Sequence, residues 1–152
     1  MKTFIPANPD YQARTAESFD RQQVMKTLGM SILHSGPGTV ELAMPYSTDL
    51  TQQHGFIHAG IISTALDSAC GYAAFTLMPV EAAVLTIEFK INLLSPARGE
   101  RFVFRAEVTK PGRTITVADG RAFAVDGEGN EKLIATMTGT MMAVIGRQGI
   151  EG

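Results

Sequence analysis

At 152 residues, with 45% hydrophobic and 18% charged side chains, the chain holds enough apolar material to bury a core. A net charge of -2 and the lack of any basic run argue against neutralising phosphate backbones, so nucleic acid is not an expected partner. The single cysteine, Cys70, cannot close an internal disulfide, and Met1-Lys2-Thr3-Phe4-Ile5-Pro6 lacks the apolar core of a signal peptide. A cytoplasmic location is the expectation.

Residues 9–28 read as an amphipathic helix with Phe19, Val24, Met25 and Leu28 on its apolar side and Gly29 as its stop. Residues 30–46 read as two short strands around the turn Ser35-Gly36-Pro37-Gly38. A polar loop, 47–55, leads to the most apolar stretch, 57–77, which Pro79 should terminate. That stretch nearly has membrane-spanning length, but it carries His58 and Asp67 and strands follow it. A buried core helix fits better than a membrane span.

The remainder alternates with a period of two. Leu85, Ile87, Phe89, Ile91 and Leu93 interleave with Thr86, Glu88, Lys90 and Asn92, which predicts a half-buried strand over 84–94. Residues 101–110 repeat the pattern through Phe102, Phe104, Ala106 and Val108. A third strand, 114–125, falters near Asp119-Gly120, where a bulge is expected. The turn Asp126-Gly127-Glu128-Gly129-Asn130 precedes the last strand, 133–145. No repeat, low-complexity tract or linker divides the sequence, so residues 1–152 are expected to form one domain. A helix apolar on nearly every side must be wrapped on several sides, and a single curved antiparallel sheet can do so. The expectation is α+β: a hotdog fold, with a long central apolar helix, its wrapping sheet and an N-terminal helix.

Two features of that helix could carry chemistry. Asp67 lies within Ile61-Ile62-Ser63-Thr64-Ala65-Leu66-Asp67-Ser68-Ala69-Cys70, where an unpaired carboxylate costs several kcal/mol. Pairing with Ser63, Ser68 or a backbone amide, or exposure to solvent, would explain it without catalysis, and the residues alone leave both readings open. Gly55 and Gly60 flank the helix start, where free N–H groups and the positive dipole end could hold an oxyanion, or form an ordinary cap. His54 and His58 lie four apart but lack a third ligand at sensible spacing, so no metal is expected. Cys70 has no local base and reads as a packed thiol.

His58-Ala59-Gly60, with Asp67 nine positions after the histidine, resembles the H-G-G-x(6)-D signature of the phenylacetyl-CoA-type (PaaI-like) hotdog acyl-CoA thioesterases. The likeness extends through Thr86-Ile87-Glu88-Phe89-Lys90-Ile91-Asn92-Leu93-Leu94-Ser95-Pro96-Ala97 and Pro111-Gly112-Arg113-Thr114. It implies hydrolysis of acyl-CoA without a cofactor, by a homodimer or a dimer of dimers. Asp67 would be nucleophile or general base. The Ala59 N–H, framed by His58 and Gly60, would polarise the thioester carbonyl. Gln52 stands where the family places an asparagine or glutamine that orients water or thioester, and Thr86 where a hydroxyl assists the carboxylate. Arg113 and Lys90 could meet the CoA phosphates. Ala59 departs from the signature's first glycine, keeping the N–H while its methyl narrows the approach.

Two other readings remain: a hotdog dehydratase or hydratase built on His58 and Asp67, and a non-catalytic acyl-CoA-binding module. A binder has no need of a costly carboxylate. On one helix, the nine residues from His58 to Asp67 span roughly 13 Å and leave them about half a turn out of phase. One thioester therefore cannot meet both within one chain, and a site shared between two copies is expected.

Overall fold

The computed structural model describes residues 2–152. Two short helices, α1 (Tyr11–Arg21) and α2 (Gln23–Thr27), precede a hairpin of β1 (Ser31–Gly36) and β2 (Thr39–Pro45). A 3-10 turn at Thr48–Leu50 leads to α3 (Ala59–Phe75), and then to β3 (Ala82–Leu93), β4 (Arg101–Lys110), β5 (Ile115–Val125) and β6 (Glu131–Ile145). All six strands form one antiparallel sheet in the order β1-β2-β4-β5-β6-β3. It wraps α3, which packs against β2, β3, β4, β5 and β6. This is the hotdog fold. Leu66, Ile62 and Phe75 of α3 are buried against Phe102, Phe104 and Met137 of the sheet, each such side chain contributing about 1.5–3 kcal/mol. No helix among the described residues is long and apolar enough to cross a membrane.

The expected bulge at Asp119-Gly120 is absent. The alternation there continues through small residues, with Ala118, Ala122 and Ala124 buried and Gly120 in line with them. Helix α3 needs that space, because a Cβ on Gly120 would lie 3.0 Å from Cys70 Sγ and 3.1 Å from Leu66 Cδ2. Gly120→Val should therefore overpack the helix–sheet contact and cost about 1–3 kcal/mol. Thermal melts would register this as a Tm lower by several degrees, and an unchanged Tm would mean that the contact can relax.

The register shifts elsewhere in the sheet, and the shift that bears on the helix is on β3, between Thr86 and Glu88, in its pairing with β6. A one-residue slip exchanges the two faces of a strand. Before the bulge, Val84 packs on the core and Thr86 reaches α3; after it, Ile91 and Leu93 face inward. The uniform alternation expected for 84–94 therefore breaks at Ile87. Because β3 is also an edge strand, four of its apolar residues stay open, Leu85, Phe89, Ile87 (54% exposed) and Leu93 (56% exposed).

The N-terminal helix is not continuous. Gln22 adopts an extended conformation (ψ 102°) and divides α1 from α2. Phe19, Met25 and Leu28 are buried as expected, whereas Val24 is exposed. Gly29, at φ +67°, supplies the left-handed stop that glycine adopts without strain. Helix α3 ends at Phe75, before Pro79, with Thr76 Oγ1 donating to Ala73 O.

Candidate active site

Two places along α3 gather polar groups. At its start, His58 is the N-cap, extended at φ -60° and ψ 138°, and its Nδ1 accepts the N–H of Gly60 at 2.8 Å. The next N–H groups, of Ile61 and Ile62, bond to His58 O. The Ala59 N–H has no acceptor among the described residues. Ala59 lines a cavity of about 480 Å³ together with Gln52, Phe56, Ile62, Leu93 and Leu94. Gln52 is held in its loop: its N–H donates to Phe56 O at 2.9 Å, and its Oε1 accepts the His54 N–H at 2.5 Å. One free backbone donor thus opens, beside a fixed amide side chain, into an apolar cavity.

Farther along, Asp67 is half-buried and faces β3, where the Thr86 hydroxyl donates to its Oδ1 at 2.7 Å. The serines that could have satisfied it look elsewhere: Ser63 Oγ donates to Ala59 O and Ser68 Oγ to Gln22 Oε1. Burial raises the Asp67 carboxyl above its ordinary 3.8, and the Thr86 hydrogen bond partly opposes the shift. Asp67 and Thr86 line a second cavity of about 320 Å³ with Ser18, Gln22, Ser68 and Tyr72. Cys70 is buried, and burial followed by the charge of Asp67 pushes its thiol up to about 12. It is therefore no nucleophile at neutral pH.

The structure brings Gln52, His58, Ala59 and Gly60 together at one end, and Asp67 and Thr86 at the other. From Ala59 to Asp67 the helix rises by roughly 12 Å. The two groups line different cavities. Lys90 lies farther along β3, with its Nζ donating to Asn92 Oδ1 at 2.7 Å. Arg113 is exposed at the β4–β5 turn. Its neighbour Thr114 accepts the Ala143 N–H at 2.8 Å, and Ala143 faces Val84 across β6 and β3, close to Thr86. Gln22 and Tyr72, which line the Asp67 cavity, had no signal in the sequence: one lay within an expected continuous helix, the other within an apolar run.

A family model described as the Thioesterase superfamily matches residues 54–130. A structure of a thioesterase family protein from Silicibacter pomeroyi is 65% identical and covers 90% of this chain and 99% of its own, at a TM-score of 0.88. A protein of Saccharolobus solfataricus, provisionally described as an esterase, is 31% identical over 75% of this chain and 81% of its own. A Staphylococcus aureus thioesterase, solved with a glutamine changed to alanine, is 25% identical over 80% of this chain and 98% of its own, at a TM-score of 0.74. A second structure of it carries alanine for a glutamate fifteen positions further on. The Escherichia coli PaaI protein, 19% identical over 91% of this chain and 96% of its own, shares the fold at a TM-score of 0.79. The chain belongs to the thioesterase superfamily, and it is a hotdog-fold thioester hydrolase whose fold the PaaI protein shares.

Proposed function

We propose that the protein hydrolyses acyl-CoA to a free carboxylic acid and CoA, at two identical sites each built from two copies of the chain. The observation that carries this reading is Asp67, a half-buried carboxylate held by the Thr86 hydroxyl. As general base, Asp67 takes a proton from water, whose oxygen attacks the thioester carbonyl carbon. The oxyanion that forms is held by the Ala59 N–H at the positive end of α3. The C–S bond then breaks, and the proton returns from Asp67 to the departing thiolate. As nucleophile, Asp67 would instead attack the carbonyl carbon and expel the thiolate, which takes a proton from water, leaving an anhydride that water then cleaves. The spacing of Gln52 and Asp67, fifteen positions, equals that of the two residues replaced in the Staphylococcus aureus enzyme, which supports both as members of one site.

The geometry of β3 supports sharing between copies. Helix α3 runs antiparallel to β3, so that Asp67 meets Thr86 while Ala59 lies by Leu93. An antiparallel β3 from a second copy, with the two-fold axis near Phe89 and Lys90, would set each copy's Thr86 opposite the other's Leu93. One copy's Asp67 then approaches the other's Ala59 and Gln52. The exposed Leu85, Ile87 and Phe89 would be covered at the same time. A homodimer, or a dimer of dimers, is the assembly this requires.

A dehydratase reading needs a histidine free to move protons, and His58 Nδ1 is engaged in capping Gly60. Thiol release from a series of acyl-CoAs of increasing chain length tests the reading. The apolar cavity beside Ala59 favours aliphatic chains, and no release from any member would exclude thioesterase action on CoA esters. Arg113, near the Asp67 end and without a carboxylate partner among the described residues, is the better placed of the two cations for the CoA phosphates. Arg113→Ala should raise KM for acyl-CoA several-fold at low ionic strength, with the difference shrinking at high salt. An unchanged KM at low salt would make Arg113 an ordinary surface residue.

A further inference from the structure

Gln22 breaks the N-terminal helix at a position where nothing in the sequence demands a break. Glutamine is a good helix former, and the extended residue forfeits helical hydrogen bonds. Local rules are commonly broken where a side chain is needed elsewhere. Here the break delivers the Gln22 side chain to Ser68, the residue after Asp67, whose hydroxyl donates to Gln22 Oε1 at 3.1 Å. That bond fixes which way the amide points. Neither N–H of its Nε2 has an acceptor among the described residues, and the side chain lines the Asp67 cavity.

The two cavities differ in chemistry. The one beside Ala59 is walled by Phe56, Ile57, Ile62, Leu93, Leu94 and Ile134. The one beside Asp67 carries the polar groups of Ser18, Gln22, Ser68 and Tyr72, with Ser18 Oγ 3.4 Å from Tyr72 Oη. A thioester set between one copy's Asp67 and another's Ala59 has two arms of matching character. One is an alkyl chain, and the other is a pantetheine arm with an amide two carbons from the sulfur. Polar groups in a cavity discriminate most strongly when a ligand leaves them unpaired, so the polar cavity suits the amide arm.

We propose that the Asp67 cavity is the subsite for the amide-bearing arm of the thiol, and that Gln22 donates an Nε2–H to the carbonyl of the amide nearest the sulfur. The assignment rests on the thioesterase reading above, and it names the thiol class: a pantetheine thiol, whether free, in CoA or on a carrier protein. The experiment compares kcat/KM for three thioesters of one acyl group: the CoA ester, the N-acetylcysteamine ester, which keeps only the amide nearest the sulfur, and the S-ethyl ester, which has none. The wild-type protein should prefer both amide-bearing esters over the S-ethyl ester. Gln22→Leu should lower the N-acetylcysteamine to S-ethyl ratio about tenfold, the usual effect of one hydrogen bond to a neutral group. Both rates come from the same preparation, so a loss of folded protein cancels in the ratio. Gln22→Glu, which keeps shape and acceptor but loses the donor, should lower the same ratio if the leucine variant does not fold. A fall shared by the CoA and N-acetylcysteamine esters assigns the contact to the pantetheine amide. A fall confined to the CoA ester would place the contact farther out and overturn the assignment. An unchanged ratio, or equal losses on amide-bearing and amide-free esters, would reduce Gln22 to a structural residue. Hydrolysis of none of the three would overturn the thioesterase reading itself, a result distinct from hydrolysis with an unaltered ratio.

Discussion

Replacing Asp67 with asparagine should lower kcat for thioester hydrolysis by at least about a hundredfold, the loss typical of an acid–base or nucleophilic group. The fold should survive the change. Asp67 meets one protein partner, Thr86, and an asparagine carbonyl can accept that hydroxyl equally well. Stability should even rise slightly at neutral pH. Burial raises the folded-state pKa above the 3.8 of an ordinary aspartate, so the folded chain binds the proton more tightly than the unfolded one. Folding stability from this group is therefore lost as pH climbs from about 3.8 through the raised value, and the neutral asparagine avoids that loss. The same shift fixes the sign of the pH profile. Activity needs the ionised carboxylate, so kcat/KM in the wild-type protein should fall on acidification with a midpoint above 3.8. Thr86→Val removes the bond that opposes the shift, and should move the midpoint higher still. A folded Asp67→Asn protein with near wild-type turnover would remove Asp67 from the mechanism.

Inactive mutants should also rescue one another. Ala59 is the first residue of α3, and proline there removes its N–H at the helical position that tolerates proline best. The preceding His58, at φ -60° and ψ 138°, already has the conformation that a following proline requires. Ala59→Pro and Asp67→Ala should each be inactive alone. In a mixed dimer one site carries both lesions and the other carries neither. Random re-pairing makes half the dimers mixed, so about a quarter of wild-type activity should return. If heterodimers form and the mixture stays as inactive as its parents, each site lies within a single chain.

The central helix and the strands could be read from the sequence because each rests on a strong local period. An apolar run with a polar loop before it, Pro79 closing it and a sheet pattern after it allows few arrangements. The Asp67–Thr86 contact could not be read that way. Strict alternation sets Thr86 beside Glu88 on the solvent face, and only the bulge at Ile87 turns its hydroxyl to the helix. A bulge of this kind leaves no composition signal, so resemblance pointed to Thr86 where periodicity pointed away from it. Gly120 misled in the opposite sense. A gap in the apolar pattern suggested a backbone irregularity, whereas the gap is filled by Leu66 and Cys70 from α3. Gln22 was hidden by its own helix propensity.

The strand order also decides when the parts of this molecule can come together. β3 follows α3 directly in the chain, yet among the described residues its one partner in the sheet is β6, which comes after β4 and β5. Until β6 emerges, the strand that carries Thr86 has nothing to pair with, and Asp67 has no hydroxyl to receive. Closing a loop that contains β4 and β5 is slow compared with forming the local hairpins, so the seating of β3 should come late in folding. A chain in that state shows two open strand edges and a row of apolar side chains, which invites association with the wrong neighbour. Glu88 and Lys90, set between Ile87, Phe89 and Ile91, put charges along the waiting strand and oppose such pairing.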